Sequence, residues 1–167
     1  MFLDLDRFKN VNDTLGYNND DILLMKAADR LLKTLRQTDT AARLGGDEYA
    51  ILLPSITRKA TGLTAKQICE DVNHFFLIEN LDIFISTSVG SRMYPDDGAD
   101  IETLIRNADA AMYLAKESGK KNYQFFTIDL HRDMSDKIML EREMHRPVKE
   151  SLFISFTSLK SIWHPIK

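Results

Sequence analysis

Apolar residues recur along this chain with two periods, one typical of helices and one typical of strands. Spacings of three and four residues predict amphipathic helices, whereas alternation of apolar and polar residues predicts half-buried strands. The helices are predicted at residues 22–35, 63–76 and 101–115, the last of which has the most regular apolar face. The strands are predicted at residues 1–6, 40–44, 49–53, 82–91 and 123–127, with residues 10–21 as a short helical turn followed by a loop.

The order of these elements is strand, helix, hairpin, helix, strand, helix, strand. Helices that alternate with hairpin strands favour an α+β fold, with a sheet covered on one face in an arrangement close to the split βαβ, ferredoxin-like pattern. The composition changes after Asp129, so we expect one domain over residues 1–129. Residues 130–150 are charged with helical spacing and predict a linker helix, and residues 151–167, which contain no acidic residue, predict a tail from another unit.

Composition and charge narrow the class of protein. The 167 residues carry a formal net charge of −3, so no overall basic field favours a nucleic-acid partner. The single cysteine, Cys69, cannot form an internal disulfide and is typical of a reducing compartment. No apolar run has the length of a membrane span, and no signal-peptide pattern follows Met1. These features predict a soluble cytoplasmic domain.

A Gly-Gly turn followed by two carboxylates is the most informative local motif. Gly45 and Gly46 separate two short apolar runs, and a glycine pair favours a type I′ hairpin turn with positive φ at both positions. The absent side chains also let a bulky ligand approach the backbone. Asp47 and Glu48 at the hairpin tip suit Mg²⁺ bound against a phosphate. The alternative is a solvated hairpin turn without a ligand.

A second acidic motif lies at the end of the first strand, where Asp4 and Asp6 alternate and therefore share one side of the strand. If this strand pairs with the hairpin, Asp4 comes near Asp47 and Glu48. Such a cluster of carboxylates is costly without a cation, and Mg²⁺ would relieve the repulsion. Asp6 has the alternative interpretation of a helix cap.

Other metal and nucleotide motifs do not fit the chain. Residues 4–12 differ from a calcium-binding loop, because Lys9 holds the position that requires glycine. No Walker A, zinc-protease or Rossmann pattern occurs, and the four histidines lack the spacing of metal ligands. The acidic cluster therefore remains the candidate site.

With these motifs in the same order and spacing, the chain resembles the diguanylate cyclase, or GGDEF, domain family. The resemblance covers roughly residues 1–127 and rests on five segments. They are Asp4-Leu5-Asp6-Arg7-Phe8-Lys9-Asn10-Val11-Asn12-Asp13, Arg43-Leu44-Gly45-Gly46-Asp47-Glu48-Tyr49, Ser86-Thr87-Ser88-Val89-Gly90, Ala108-Asp109-Ala110-Ala111-Met112-Tyr113-Leu114-Ala115-Lys116 and Gly119-Lys120-Lys121-Asn122.

The resemblance implies both a fold and a reaction. The fold is that of nucleotidyl cyclase catalytic domains and polymerase palms, with an antiparallel-containing central sheet flanked by helices. The reaction is the condensation of two GTP molecules to cyclic di-GMP with release of pyrophosphate, and it implies Mg²⁺ or Mn²⁺ as cofactor. Each domain would bind one GTP, so a second copy of the domain is needed to bring each 3′-hydroxyl to the other α-phosphate.

The resemblance also implies which residues bind metal and which take part in catalysis. Asp4, Glu48 and the Leu5 carbonyl would bind the metal, with Asp47 beside them. The catalytic set by position is Asp47, Glu48 and Lys9.

The substrate-binding residues follow from the resemblance in the same way. Asn12 and Asp21 would recognise guanine, since an amide and a carboxylate match its acceptor and donor edge. Lys116 and Lys120 would hold the β- and γ-phosphates, since lysines supply point charges for phosphate oxygens. The hairpin contributes Gly45, Gly46 and Arg43 to this set.

A product-binding inhibitory site is a further implication of the resemblance. Arg36-Gln37-Thr38-Asp39 is an Arg-x-x-Asp motif just before the hairpin, where Arg36 would stack on guanine and Asp39 would accept from its edge. Helix ends commonly carry such a pair without any ligand. The helix that commonly supplies another arginine carries Gln67 instead.

Three substitutions depart from the family pattern. Tyr49 replaces the usual Phe, Tyr17 stands at a common His, and Asp20 replaces a common Gly beside the guanine-reading Asp21. Two functions therefore stay open. One is an active diguanylate cyclase, and the other is an inactive module that binds GTP or cyclic di-GMP and regulates a neighbouring domain.

The resemblance also predicts a longer parent protein. The opening helix of the family and the first residues of the central strand are absent, so we expect a chain cut at both ends. Residues 140–146 resemble the junction that leads into an EAL phosphodiesterase domain, although no Glu-Ala-Leu motif follows. We therefore expect a covalent sensor and an EAL domain as neighbours, in a parent protein that could be membrane-anchored.

Overall fold

The computed structural model describes residues 1–15 and 17–127, without the side chains of residues 12–19. Met1–Thr127 form one compact unit. Its elements are β1 (Phe2–Asp6), α1 (Phe8–Leu15), α2 (Tyr17–Thr34), β2 (Thr40–Gly45), β3 (Glu48–Leu52), α3 (Arg58–Val72), β4 (Phe76–Ile78), β5 (Leu81–Ile83), β6 (Ser86–Ser91), α4 (Ile101–Glu117) and β7 (Tyr123–Phe125). The linker helix predicted over residues 130–150 and the tail over 151–167 lie outside the described residues.

Five strands form the main sheet in the order β2-β3-β1-β6-β7. All neighbours are antiparallel except β6 and β7, which run parallel. Strand β1 lies in the middle, between β3 and β6, so its residues are flanked on both sides by backbone partners. The α+β prediction, with a mostly antiparallel sheet flanked by helices, is confirmed.

Helices cover both faces of this sheet, so the prediction of a sheet covered on one face is wrong. Leu3 and Leu5 of β1 are fully buried in the core that includes Leu23 and Leu31 of α2 and Ile68 of α3. The opposite face carries α4, because a β carbon on Gly90 of β6 would overlap the backbone of that helix. Alternation along β1 therefore sends leucines to one helix layer and aspartates to the other.

The stretch over residues 10–21, predicted as a helical turn and a loop, is helical except at residue 16, whose conformation is not described. Its many Asn and Asp residues favour turns in isolation. Tertiary packing decides otherwise, because Phe8 is buried and Val11, three residues later, packs against the core. Two apolar residues at this spacing give α1 one buried face.

Two short strands, β4 and β5, form a separate hairpin that the sequence pattern did not predict. Helix α3 ends at Val72 instead of reaching Phe76, and the strand predicted at residues 82–91 divides into β5 and β6. Glu79 and Asn80 make the connecting turn with φ of 48° and 68°. Positive φ at both central residues is the type I′ requirement, and here it is met without the glycine that normally marks it.

The described residues contain no helix that is both long enough and apolar enough to cross a lipid bilayer.

Cys69 is expected to stay unlabelled by a thiol reagent such as DTNB at pH 8 until the protein unfolds. Its thiol is buried in α3 and contacts the Thr87 carbonyl at 3.8 Å, and burial raises its pKa to about 12. Because the thiolate is the reactive form, native labelling should be slow. The raised pKa also predicts that stability falls as pH rises from 9 towards 12, since the unfolded chain ionises first. Rapid stoichiometric labelling without denaturant would contradict this prediction.

Candidate active site

The acidic site is built on the central strand. Asp4 of β1 lies directly opposite Glu48 of β3, and opposite Ser88 of β6 on the other side. Directly opposed residues of antiparallel strands share a face and lie side by side. Asp4 is buried, with 6% of its surface exposed, whereas Glu48 is exposed. The strand pairing therefore brings one buried and one exposed carboxylate together.

The hairpin turn brings a third acidic residue close to Asp4. The backbone N–H of Leu5 donates to the Asp47 carbonyl at 3.3 Å, which fastens the turn to β1. Burial raises the pKa of the Asp4 carboxyl, a hydrogen bond from Lys116 lowers it, and the negative charge of Asp47 raises it again. The site therefore concentrates negative charge at the position where desolvation already penalises it.

Lys116 supplies the positive charge next to this cluster. It lies in the last turn of α4, and its Nζ is 2.7 Å from Oδ2 of Asp4. The lysine side chain is 30% exposed, so the ion pair lies at the border between the core and solvent. The fold thus joins two motifs that are more than a hundred residues apart in the sequence.

The Gly-Gly turn differs from the predicted type I′ geometry. Gly45 pairs with Glu48, so the central residues of the turn are Gly46 and Asp47, and of the two only Gly46 has positive φ, at 51°. The strand register shifts between Arg43 and Gly45. This shift is a β-bulge that leaves one residue of β2 without a partner in β3. The type I′ prediction is wrong, because that turn requires positive φ at both central residues.

Open space surrounds both glycines. A β carbon on Gly45 or Gly46 would meet no atom within 4 Å. Arg43 donates from Nε to the Gly46 carbonyl at 2.8 Å, which holds the turn from outside. The room over the glycines is compatible with a ligand that approaches the backbone there.

Asp6 lies next to this acidic site, but its carboxylate oxygens are occupied by other donors. Both of its carboxylate oxygens accept hydrogen bonds, from Ser86 Oγ at 2.7 Å, from Ser88 Oγ at 2.8 Å and from the Lys121 N–H at 3.1 Å. These donors belong to β6 and to the turn after α4, so the helix-cap interpretation of Asp6 is not what the hydrogen bonds show. Sequence alternation indicated its face but not these partners.

The predicted guanine-reading region lies beside a cavity between α2 and the β2–β3 hairpin. The cavity has a volume of about 370 Å³ and is lined by Asp21, Arg43, Tyr49 and apolar residues of α2 and β2. Asp21 is exposed on α2, whereas the Asn12 side chain lies outside the described part of the chain. The Tyr49 hydroxyl donates to the Leu24 carbonyl at 3.1 Å, so this departure from the usual Phe has a buried partner.

The remaining predicted residues lie on α1, on α2 and in the turn after α4. Lys9 is exposed on α1, and Lys120 is partly buried in the turn after α4 with a φ of 65°. Asp20, in the first turn of α2, is buried. Asn122 donates to the carbonyls of Ala115 and Lys120, which fixes the turn against the end of α4.

The oxygen atoms of the site suit a hard cation that is bound partly by the protein and partly by the phosphates of a substrate. Across residues 1–15 and 17–127, no group of three or more His, Cys, Asp and Glu side chains converges to hold a metal. Asp4 and Glu48 lie side by side, however, and Leu5, whose backbone carbonyl is the third predicted ligand, follows Asp4 in β1. Mg²⁺ is commonly bound by one or two carboxylates together with substrate phosphates, so these residues fit it.

The Arg-x-x-Asp motif forms a compact turn before β2. The Asp39 carboxylate accepts from the Arg36 backbone N–H at 2.9 Å and from its Nε at 3.2 Å. Arg36 is half exposed, whereas the Asp39 side chain is only 2% exposed. Its second oxygen, Oδ1, is buried without a hydrogen-bond partner within the described residues. Gln67 donates to Asp71 instead of contacting this pair.

The fold defines the class of domain. Solved structures of similar fold include an EAL/GGDEF domain protein from M. capsulatus, with a TM-score of 0.70 and 45% identity over 75% of this chain and 82% of that one. A second is the GGDEF domain of DgcB from Caulobacter crescentus in complex with c-di-GMP, with a TM-score of 0.67 and 27% identity over 74% of each chain. The sheet and its helices are those of palm-type nucleotidyl cyclases.

Sequence comparison gives the family. The family model for the diguanylate cyclase, GGDEF domain matches residues 1–122, and the chain belongs to this family. Two Pseudomonas aeruginosa relatives are the bifunctional diguanylate cyclase/cyclic di-GMP phosphodiesterase MucR and the cyclic di-GMP phosphodiesterase NbdA. MucR is 34% identical over 89% of this chain, and NbdA is 31% identical over 90%. The chain spans only 22% and 19% of their lengths.

Proposed function

We propose that this chain is a diguanylate cyclase domain that condenses two GTP molecules to cyclic di-GMP and releases two pyrophosphates. The observation that carries the proposal is the ion pair between Asp4 and Lys116 beside Glu48. A carboxylate pair next to a lysine is a site for a phosphate group together with its cation. In the structure the Asp4 carboxylate and the Lys116 ammonium group neutralise each other. When a nucleotide binds with its metal, the metal would take the place of Lys116 next to Asp4, and a phosphate would take the place of Asp4 next to Lys116.

The nucleotide would lie along one edge of the domain. Asp21 and Asn12 would hold guanine by its donor and acceptor edge, near the cavity between α2 and the hairpin. Gly45 and Gly46 would leave room for the phosphates, because nothing occupies the space over them. Arg43 keeps the turn in place through the Gly46 carbonyl.

The reaction then depends mainly on positioning and on charge. Lys116 and Lys120 would bind the β- and γ-phosphates, which lowers the cost of bringing charged groups together. Asp4, Glu48 and the Leu5 carbonyl would hold Mg²⁺ or Mn²⁺, which supplies Lewis-acid stabilisation of phosphate charge when bound. Asp47 and Lys9 would complete the catalytic set beside this centre. A second copy of the domain would present its GTP, so that each 3′-oxygen bonds to the α-phosphorus of the other GTP. The bond from that phosphorus to the α,β-bridging oxygen breaks, pyrophosphate leaves with this oxygen, and the proton of the 3′-hydroxyl passes to solvent.

The direct test is product formation from GTP. The full chain is incubated with GTP and MgCl₂ over a range of protein concentrations, and cyclic di-GMP and pyrophosphate are measured by chromatography. Two molecules of pyrophosphate per molecule of product are expected, with a rate per protein that rises with concentration because two copies are needed. GTP binding with no product at the highest protein concentration would contradict the proposal.

A second candidate function is a module that binds GTP or cyclic di-GMP without turnover and regulates a neighbouring domain. It is favoured by the relative NbdA, a protein named for phosphodiesterase activity alone, and by Asp20 beside the guanine-reading position. Calorimetric titration distinguishes the two functions. Saturable binding of GTP or cyclic di-GMP in a protein that makes no product would favour the module.

We propose product inhibition at Arg36 and Asp39. The unpartnered buried oxygen of Asp39 and the exposed guanidinium of Arg36 provide an acceptor and a stacking group for guanine. Binding of the product would require Arg36 to move from its present contact with Asp39.

The Arg36→Ala substitution is expected to weaken inhibition by cyclic di-GMP about tenfold or more, because a charged hydrogen-bond donor is lost. The rate without added product should be unchanged, since Arg36 lies outside the proposed nucleotide site. The measurement is initial rate against added cyclic di-GMP. Gln37→Ala, which alters the neighbouring residue, is the matched control. Unaltered inhibition in Arg36→Ala would rule out this site.

We propose that the domain works within a longer cytoplasmic signalling protein. The support is the length of MucR and NbdA, of which this chain spans about a fifth. A sensor and an EAL domain are the expected covalent neighbours, by analogy with the EAL/GGDEF protein of similar fold.

A further inference from the structure

Asp6 is a buried carboxylate with three hydrogen-bond donors, which come from two separate segments. It lies at the end of β1 with 4% of its surface exposed. Oδ1 accepts from Ser88, whereas Oδ2 accepts from both Ser86 and the backbone N–H of Lys121. The first two bonds tie β1 to β6, but the third ties β1 to the turn that follows α4. Only this third bond reaches a segment that carries predicted substrate-binding residues.

The turn that Asp6 contacts has an unusual backbone. Gly119, Lys120 and Lys121 have positive φ angles of 110°, 65° and 55° in succession. Residues with a β carbon adopt this conformation only where their surroundings hold them there. Asn122 ties the turn to α4 through the carbonyls of Ala115 and Lys120, and the Asp6 side chain ties it to β1.

Strand β1 therefore touches both of the predicted phosphate-binding regions. Asp4 contacts Lys116 near the end of α4, and Asp6, two residues later on the same face, contacts the turn that contains Lys120. The two aspartates thus link β1 to the end of α4 and to the turn that follows it. The two have different tasks, because Asp4 borders the site and Asp6 is enclosed by hydroxyls and a backbone N–H.

We infer that Asp6 is a positioning residue, which holds the left-handed Lys120–Lys121 turn against β1 so that Lys120 faces the phosphates of the nucleotide bound at Asp4 and Glu48. This inference rests on the proposed function. Asp6 itself touches no substrate. Its loss should let the turn relax to ordinary backbone angles and carry Lys120 away from the terminal phosphates, while the guanine end of the site stays intact.

The test compares two nucleotides on the full chain with Mg²⁺ present. One is a GTP analogue with a methylene group between the α- and β-phosphates, which cannot react, and the other is GMP. Asp6→Ala is expected to lower the affinity for the triphosphate analogue about tenfold, which is the effect of losing one charge-assisted contact. The affinity for GMP should stay unchanged. Asp6→Asn should restore affinity for the analogue, because an amide oxygen can still accept from Lys121 while the amide N–H₂ donates to a serine hydroxyl.

Ser88→Ala is the matched control, since it removes a hydrogen bond of Asp6 but leaves the one to Lys121. It should bind both nucleotides like the unsubstituted protein. Amide hydrogen exchange at Lys121 gives a readout that does not depend on nucleotide, and faster exchange is expected in Asp6→Ala alone. If Asp6→Ala does not fold, Asp6→Ser is used in its place. Its hydroxyl keeps the position polar, but the serine side chain is one bond shorter than that of aspartate.

Each other outcome overturns a defined part of the argument. Equal losses for GMP and the triphosphate analogue, or the same loss in Ser88→Ala, would overturn the positioning role and leave the proposed function intact. Failure of the unsubstituted protein to bind the analogue would overturn the proposed function and this inference together. Unaltered Lys121 exchange in Asp6→Ala would show that the turn is held without Asp6.

Discussion

Replacing Asp4 with Asn is expected to lower the rate of cyclic di-GMP formation by about two to three orders of magnitude. Asp4 is the buried carboxylate of the site, and it contacts Lys116 at 2.7 Å while facing Glu48 across the strands. The amide keeps the shape of the side chain but removes its charge. In the proposed site the metal would lose a charged ligand, so the phosphates of GTP would be held less firmly next to Lys116. The rate at saturating GTP and MgCl₂ is the quantity to measure.

The effect of Asp4→Asn on stability should be small, which separates chemistry from folding. Burial raises the pKa of the Asp4 carboxyl, so a neutral side chain is favoured there, although the contact with Lys116 offsets part of this. Asp29→Asn, at an exposed position on α2, is the matched control and should retain full activity. Folding is compared by circular dichroism and urea denaturation. Activity above about a tenth of the unsubstituted level, a loss of less than about 1.4 kcal/mol, would contradict the assignment of Asp4.

The elements that the sequence predicted well are those with a long, regular pattern of their own. Helix α4 was expected at residues 101–115 and spans Ile101–Glu117, because its apolar residues recur over four turns. The hairpin strands were placed within a residue or two, since glycines and a proline mark their ends. The proximity of Asp4 to Asp47 and Glu48 also followed from alternation once the strand was assumed to pair with the hairpin.

The local sequence pattern did not predict the elements whose structure depends on tertiary contacts. Helix α1 is rich in turn-forming residues, yet Phe8 docks into the core and keeps it helical. The β4–β5 hairpin turns at Glu79 and Asn80, neither of which is glycine, so no turn signal was visible. The two-sided cover of the sheet depends on a close approach of α4 to β6, which is a long-range property.

The partners of Asp6 were equally hidden, because β6 and the turn after α4 meet β1 only in the folded chain. The alternation Asp4-Leu5-Asp6 marked both aspartates as residues of one face. It could not show that Asp4 borders the site whereas Asp6 is surrounded by serine hydroxyls and a backbone N–H. Residue type and spacing identified the face of β1 that carries both aspartates, but only the folded structure distinguishes the surroundings of Asp4 from those of Asp6.

The Gly90→Ala substitution is expected to lower the free energy of unfolding by about 3 kcal/mol or more, since a methyl group would have to enter a closed backbone contact. Gly90 lies in β6 against α4, and a β carbon there would overlap the Ala108 carbonyl oxygen and the Met112 N–H and lie 2.9 Å from Met112 Cα. These are backbone atoms, so no side-chain rotation relieves the overlap. Helix α4 must move away from the sheet, and Lys116 moves with it.

A loss of both stability and nucleotide binding is therefore expected from one methyl group at a residue that is not itself part of the proposed site. Urea denaturation measures the first, and affinity for the unreactive GTP analogue measures the second in protein that is still folded. Gly62→Ala in α3 is the control. Its β carbon would lie 3.4 Å from the Phe125 ring, an ordinary contact, so the helix should gain about 0.5–1 kcal/mol. If Gly90→Ala were as stable as the unsubstituted protein, α4 could not lie as close to β6 as described, and the contact between Lys116 and Asp4 would need another explanation.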